Sequence, residues 1–123
     1  MGKPVDNPTQ PYTTNPVLKE ISLRPYPAQL FYAKTKTDYE KGHQKLFGTP
    51  AKITPRQQGQ FSAKAGPEQS WVCLIWAEDF PSLAHEVSHV VLTVFEDIGA
   101  DPIESSNEPF CYLLEQILRD ILK

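Results

Sequence analysis

The sequence predicts an α+β fold in which a small twisted sheet is followed by two helices. Apolar residues within residues 17–76 alternate with polar ones or run continuously, as they do in strands. Residues 79–99 and the segment from residue 105 to the C-terminus carry apolar residues at helical spacing instead. Strands first and helices last is the order typical of α+β domains.

The composition indicates one soluble domain from a reducing compartment, such as the cytoplasm. A chain of 123 residues can bury a core without disulfides. Its two cysteines, Cys73 and Cys111, lie in apolar segments, where packed thiols are common. The sequence shows neither a membrane span nor the apolar core of a signal peptide. With a net charge of −3 and no basic cluster, neither a nucleic acid nor a membrane is expected as a partner.

The N-terminal part of the chain is predicted to form an arm and the first two strands. Residues 1–16 contain four prolines and little to bury, which is typical of a mobile arm. The folded domain should therefore span residues 17–123. Strands are expected in the two segments that follow the arm, residues 17–27 and 28–36.

A short helix and two further strands should complete the region of the sheet. Thr37 and Glu40 have the spacing of a capping box, and Gly48 follows where such a helix would end. A short strand is expected at residues 60–64, in a turn-rich segment. Residues 71–76 are the most apolar stretch of the chain and should form a central strand.

A longer helix is expected over residues 79–99. Asp79 is a suitable N-cap, Pro81 fits the first turn, and Gly99 follows the last apolar position. Because successive residues rotate by about 100°, the apolar positions share one side, which should face the core. They are Leu83, Val87, Val90, Val91, Val94 and Ile98.

The helix also carries "HEVSH", residues 85–89, whose two histidines lie near the side opposite the core and whose Glu86 is a quarter-turn away from them. His85 and His89 are one turn apart, so both can present ring nitrogens to one point, and Glu86 can reach a water molecule there. Zinc-dependent hydrolysis needs two neutral nitrogen ligands and a carboxylate that accepts the proton of that water. By chance the motif arises in roughly one chain in a few hundred of this length. Uncharged flanking residues favour the site over an ordinary exposed face.

Glu108 is the candidate for the third zinc ligand. It begins the last helix, whose apolar side is Phe110, Leu113, Leu114, Ile117, Leu118 and Ile121. Its polar side, which includes Glu108, can meet the polar side of the preceding helix. Ser105 and Glu108 also have capping-box spacing, whereas Asn107 as N-cap would put Pro109 in the first turn and leave Glu108 for a metal. The ligand and capping roles are compatible.

"HEVSH" followed by "NE" resembles the gluzincin class of zinc metallopeptidases. This resemblance implies His85, His89 and Glu108 as ligands of Zn²⁺, and Glu86 as the general base. The segment from residue 70 onward also resembles small zincin-like proteins encoded by tailed bacteriophages, which implies a bacterial host cell. Those proteins combine an apolar strand, an H-E-x-x-H helix and a short helix that bears a glutamate.

The chain departs from the thermolysin-like members of that class. Tyr112 stands where they carry an aspartate, four residues after the ligand glutamate. The chain has no room for their second domain, and their transition-state histidine has no counterpart. Tyr112 is therefore the candidate for donating a hydrogen bond to a developing oxyanion. Tyr39 and His43 are remoter candidates.

Other classes of zinc enzyme fit the sequence less well. Peptide deformylases share H-E-x-x-H, but their cysteine ligand lies in a Gly-Cys-Leu context that "WVCLIW" around Cys73 lacks. Cys111, one turn from Glu108, is an alternative ligand. Zinc deaminases need H-x-E with P-C-x-x-C, and this chain has neither.

The sequence therefore predicts a zinc-dependent metallopeptidase acting on a peptide or protein. An extended substrate would add to an edge of the sheet, which aligns its carbonyl with the metal. The alternative is a zinc-binding module that acts through protein–protein interaction without turnover. Its basis is the small size of the chain and the unassigned stabiliser of the transition state.

Overall fold

The structure, a computed structural model, describes residues 15–66, 70–101 and 107–123. Within these ranges four strands and three helices follow one another along the chain. They are β1 (Leu18–Ile21), β2 (Ala28–Ala33), α1 (Lys36–Phe47), β3 (Gly59–Ala65), β4 (Trp71–Ala77), α2 (Phe80–Asp97) and α3 (Asn107–Leu122). Most of the predicted arm, residues 1–14, lies outside the described ranges.

The four strands form one mixed sheet in the order β1-β2-β4-β3. Strand β4 pairs in parallel with β2 and antiparallel with β3, and β1 pairs antiparallel with β2. The predicted central strand is confirmed, because β4 lies between two neighbours and its residues 73–76 are fully buried. The predicted α+β class is confirmed as well.

Alternate residues of β4 enter two separate cores, one on each face of the sheet. Cys73 and Ile75 pack with apolar residues of α2 and α3. Leu74 and Trp76 point to the other face, where they pack with Tyr39 of α1. Because both faces are covered, β4 is apolar at every position, as its sequence indicates. The sheet therefore lies between α1 on one side and the α2–α3 pair on the other.

Helix α1 begins two residues earlier than its sequence suggested. The N-cap is Thr35, whose hydroxyl accepts a hydrogen bond from the Asp38 backbone N–H at 3.1 Å, so the predicted capping box of Thr37 and Glu40 is wrong. The reason is that Asp38 also accepts hydrogen bonds from the Thr35 hydroxyl and from the Val17 backbone N–H. These bonds tie the helix start to the chain entering β1.

Helix α2 begins and ends close to the predicted positions. The Asp79 carboxylate caps its N-terminus by accepting from the Ser82 N–H at 2.8 Å. The last helical residue is Asp97, and the chain turns at Gly99 with a φ of 74°. The prediction that Ile98 faces the core is wrong: it is 43% exposed, because the helix ends before it and helical spacing no longer applies.

Helix α3 packs along α2 on the same face of the sheet. Leu113, Ile117 and Ile121 are buried, and the Phe110 ring meets Phe95 of α2 edge-on at 5.6 Å. The helix starts at Asn107, and the other capping candidate, Ser105, lies outside the described residues. None of the helices in the described part of the chain is long and apolar enough to cross a membrane.

Candidate metal centre

The motif residues lie on α2 beside strand β3, which is an edge strand of the sheet. Helix α2 packs beneath β4 and β3 through its buried side. Glu86 is on the flank that faces the sheet and is only 7% exposed, whereas His85 and His89 are exposed. Helix α2 thus places the Glu86 carboxylate against the sheet and the two imidazoles at the surface.

The two imidazoles converge on one point. Their Nε2 atoms are 3.2 Å apart, and the rings meet edge-on with their centroids at 4.8 Å. Two nitrogens bound to one tetrahedral zinc ion, each at 2.0–2.1 Å from it, would lie about 3.3 Å apart. The pair therefore has nearly the spacing that a zinc ion requires. Without a metal, the same distance suits a hydrogen bond between one protonated and one unprotonated Nε2.

Glu86 completes a compact group of possible ligand atoms. One carboxylate oxygen of Glu86 and one ring nitrogen from each of His85 and His89 all lie within 4.8 Å of one another. Burial raises the pKa of the Glu86 carboxyl, and the two nearby histidines partly oppose this effect by favouring the carboxylate. A buried carboxylate with a raised pKa is a stronger base than an exposed one, and therefore suits proton transfer.

Two residues of β3 that the sequence analysis missed help to build this site. The Phe61 ring stacks on His89, with centroids 5.4 Å apart and planes at 23°. A Cβ atom at Gly59 would lie 3.0 Å from Glu86 Oε2, so the glycine leaves room for the carboxylate. Each of these contacts joins β3 to α2. The only sequence signal for them is that Gly59 and Phe61 are two positions apart along a strand and therefore lie on the same face of it.

Among the described residues that could bind a metal, the group formed by His85, Glu86 and His89 does not include Glu108, and Tyr112, the predicted oxyanion donor, lies about one turn further along α3. Both residues are exposed in the first two turns of α3, and Tyr112 is 65% exposed. Their roles as third ligand and oxyanion donor therefore stay predictions. The position of Glu108 does fit the expectation that it opens the last helix.

The remaining candidates lie at other places in the fold. Tyr39 is fully buried, and its hydroxyl shares a 2.6 Å hydrogen bond with Ser62. The Thr49 carbonyl oxygen accepts a hydrogen bond from Nδ1 of His43 at 2.6 Å. Burial raises the pKa of the Cys73 thiol to about 12, which makes this cysteine a poor zinc ligand. Cys111 is exposed.

Comparisons with known proteins add no assignment. No protein-family model, no curated protein and no solved structure gives a significant match to this chain. The interpretation of the site consequently depends on its own geometry and on the motif.

Gly59→Ala should disturb Glu86 without touching the histidines. The new methyl group would lie 3.0 Å both from Glu86 Oε2 and from the Trp76 carbonyl oxygen, so the carboxylate must move. We expect a stability loss of about 1–3 kcal/mol, typical of overpacking, and zinc binding that is retained. The matched control is Gly66→Ala, which crowds Val72 at the far end of β3. If zinc is bound and a peptide is cleaved, only Gly59→Ala should slow cleavage.

Proposed function

We propose that this protein is a zinc-dependent peptidase whose metal is held by His85 and His89. The observation that carries the proposal is the 3.2 Å approach of their two Nε2 atoms, beside a carboxylate that is almost fully buried. A separation of four residues can bring two imidazoles together on any helix, so the feature that favours a site over an ordinary exposed face is the buried Glu86 beside them. The residues present thus fit Zn²⁺.

The chain's own residues have distinct roles in the proposed reaction. Bound Zn²⁺ would supply polarisation of the scissile carbonyl and a lowered pKa for water. His85 and His89 would hold the ion through unprotonated Nε2 atoms, which converge at the surface of α2. Glu86 accepts a proton from the attacking water and passes it to the leaving amine. Phe61 limits the rotation of His89 by stacking on it.

The open edge of β3 is the proposed place for the substrate. Among the described residues, β3 pairs with β4 alone, so its other edge is available for an added strand. Phe61 contacts His89 directly, which places the middle of β3 next to the histidines. An extended peptide paired with this edge would pass the metal-binding residues with its backbone carbonyls in register.

Glu108 is proposed as the third ligand, following the gluzincin resemblance. It lies in the first turn of α3, a helix that packs along α2. The same resemblance leads us to propose a zincin-like arrangement of β4, α2 and α3. It also leads to the proposal that the protein acts in the cytoplasm of a bacterial host, on a peptide or protein.

The second candidate function is a zinc-binding module without turnover. One observation favours it: the group of neighbouring ligand atoms consists of His85, His89 and Glu86 itself, and does not include Glu108. If Glu86 binds the metal, no carboxylate in this group is left to act as base. The module would then act through interaction with another protein.

Zinc content and cleavage, measured together, test both candidates. Protein purified without added metal should contain one zinc ion per chain by elemental analysis. His85→Ala and His89→Ala should each abolish that binding, while the control His43→Ala, a histidine on α1, should not. Cleavage of a mixed peptide library that is lost with a chelator supports the peptidase. Zinc bound without any cleavage favours the module, and no zinc in the unaltered protein contradicts both.

A further inference from the structure

A second surface, on α3, is apolar and has no role in the metal centre. Leu114 and Leu118 are half-buried, whereas Cys111 and Leu122 are exposed, Leu122 by 61%. Phe80, the first residue of α2, is 56% exposed next to them. Together these side chains line an open groove of about 380 Å³ whose walls are almost wholly apolar. We call these five residues the α3 stripe.

The α3 stripe is distinct from the side of α3 that packs on the sheet. That buried side consists of Leu113, Ile117 and Ile121. At about 100° per residue, the centre of the stripe is rotated by about 100° from the centre of the buried side. The helix therefore carries more apolar surface than its own fold uses, and the surplus is on one continuous strip of about three turns. A continuous apolar strip of this kind is a candidate surface for contact with another protein.

The charges that border the stripe point to the partner. Glu115 and Arg119 lie side by side along one flank, form a salt bridge across one helical turn, and are both well exposed. An acidic residue four positions before a basic one is self-complementary when two such helices run in opposite directions. A second copy of the same helix therefore presents the opposite charge to each of them.

We propose that the α3 stripe is the interface of a symmetric dimer in which α3 packs antiparallel to α3 of a second copy. One two-fold axis near residues 116–117 satisfies three pairings at once. Leu114 faces Leu118 of the second copy, Cys111 faces its Leu122, and Glu115 faces its Arg119. An isologous contact needs such self-complementarity. This proposal is independent of zinc binding.

The antiparallel direction follows from the position of the charges. A two-fold axis perpendicular to the two helices keeps each flank on its own side, so the flank with Glu115 and Arg119 meets the same flank of the second copy. A parallel pair would place this flank on opposite sides of the interface, and the four charges would not meet. The contact is small, so the dimer should dissociate at low concentration, as modest interfaces do.

Sedimentation velocity of the whole 123-residue chain over a range of concentrations tests the dimer. We expect monomer at low concentration and dimer at high concentration. Leu122→Glu should leave only monomer, because a buried, unpaired charge would enter the contact. Ile98→Glu is the matched control, since Ile98 is an exposed apolar residue outside the stripe, and it should not change the association. A chain that is monomeric at every concentration would overturn the proposal.

A charge exchange tests the register. Arg119→Glu should weaken the dimer, because acidic residues then face one another at both ends of the flank. The double variant Glu115→Arg, Arg119→Glu restores opposite charges across the axis and should recover the dimer. A double variant as weak as Arg119→Glu would show that these residues do not face each other.

A cysteine variant tests the direction of the helices. In the antiparallel pair the two Cys111 residues are about 16 Å apart along the axis, too far for a disulfide. The unaltered protein should therefore not cross-link under mild oxidation. Leu122→Cys should form a covalent dimer through Cys111 and the new cysteine, and adding Cys111→Ser should abolish it. Ready cross-linking of the unaltered protein through Cys111 would contradict the antiparallel arrangement.

Discussion

Glu86→Gln should leave zinc bound to the two histidines and lower peptide hydrolysis by about 10²–10⁴-fold, the usual contribution of a general base. Glutamine keeps the size of the side chain but cannot accept a proton. Glu86 supplies the one carboxylate in the described group with His85 and His89, so no other side chain of that group can take over its role. The measurement is the cleavage rate together with zinc content, for both proteins at equal metal occupancy.

The same substitution should stabilise the metal-free protein at neutral pH. Burial raises the pKa of Glu86 in the folded state, so the folded protein binds this proton more tightly than the unfolded chain does. Ionisation of Glu86 therefore costs stability as the pH rises above the ordinary range of a carboxyl group. Glutamine does not carry this cost. The difference in thermal midpoint, measured with a chelator, should vanish at acidic pH, where Glu86 is protonated in both states.

Zinc affinity decides between the two functions in this experiment. If Glu86→Gln lowers zinc affinity and hydrolysis together, Glu86 is a ligand and the non-catalytic module becomes the better interpretation. Glu96→Gln is the control, because Glu96 lies on the same helix but outside the ligand group. It should change neither quantity.

The parts of the fold that the sequence predicted are those with strong local patterns. Strand β4 is apolar at every position because both faces of the sheet are covered. Helix α2 has a clear N-cap at Asp79 and apolar residues at helical spacing. The start of α1 was harder, since Thr35 and Thr37 are both plausible caps. The hydrogen bond between Asp38 and Val17, which are 21 positions apart, favours Thr35 as the cap.

The candidate site likewise has one part that local sequence patterns predicted and another part that they did not. The approach of His85 to His89 was predictable because both lie on one helix, where a separation of four residues sets the geometry. The support from Phe61 and Gly59 comes from a strand that precedes the motif by more than 20 residues. Only the packing of α2 against β3 brings them there. The position of Glu108 depends on the path of the chain between α2 and α3, which helical spacing does not determine.

Glu108→Ala should weaken zinc binding by about 100-fold or more, since loss of an outer partner alone costs about 10–100-fold. At saturating zinc, a 100-fold weaker affinity removes about 2.7 kcal/mol of the stabilisation that the metal gives. The measurement is the thermal midpoint with and without zinc, compared with His89→Ala, which should lose zinc binding completely. Zinc content and affinity are measured on the same samples.

The metal-free midpoint separates ligation from helix capping. A carboxylate in the first turn of α3 stabilises that helix by about 0.3–1 kcal/mol through its dipole, whether or not zinc is present. If Glu108 only stabilises the helix, Glu108→Ala lowers both midpoints equally and leaves zinc affinity unchanged. If Glu108 is a ligand, the loss with zinc exceeds the loss without it. Equal losses would move the third ligand elsewhere. Cys111 is the next candidate, with Cys111→Ser as the first variant to measure, followed by Asp101 and Glu104, two acidic residues that lie between α2 and α3 in the sequence.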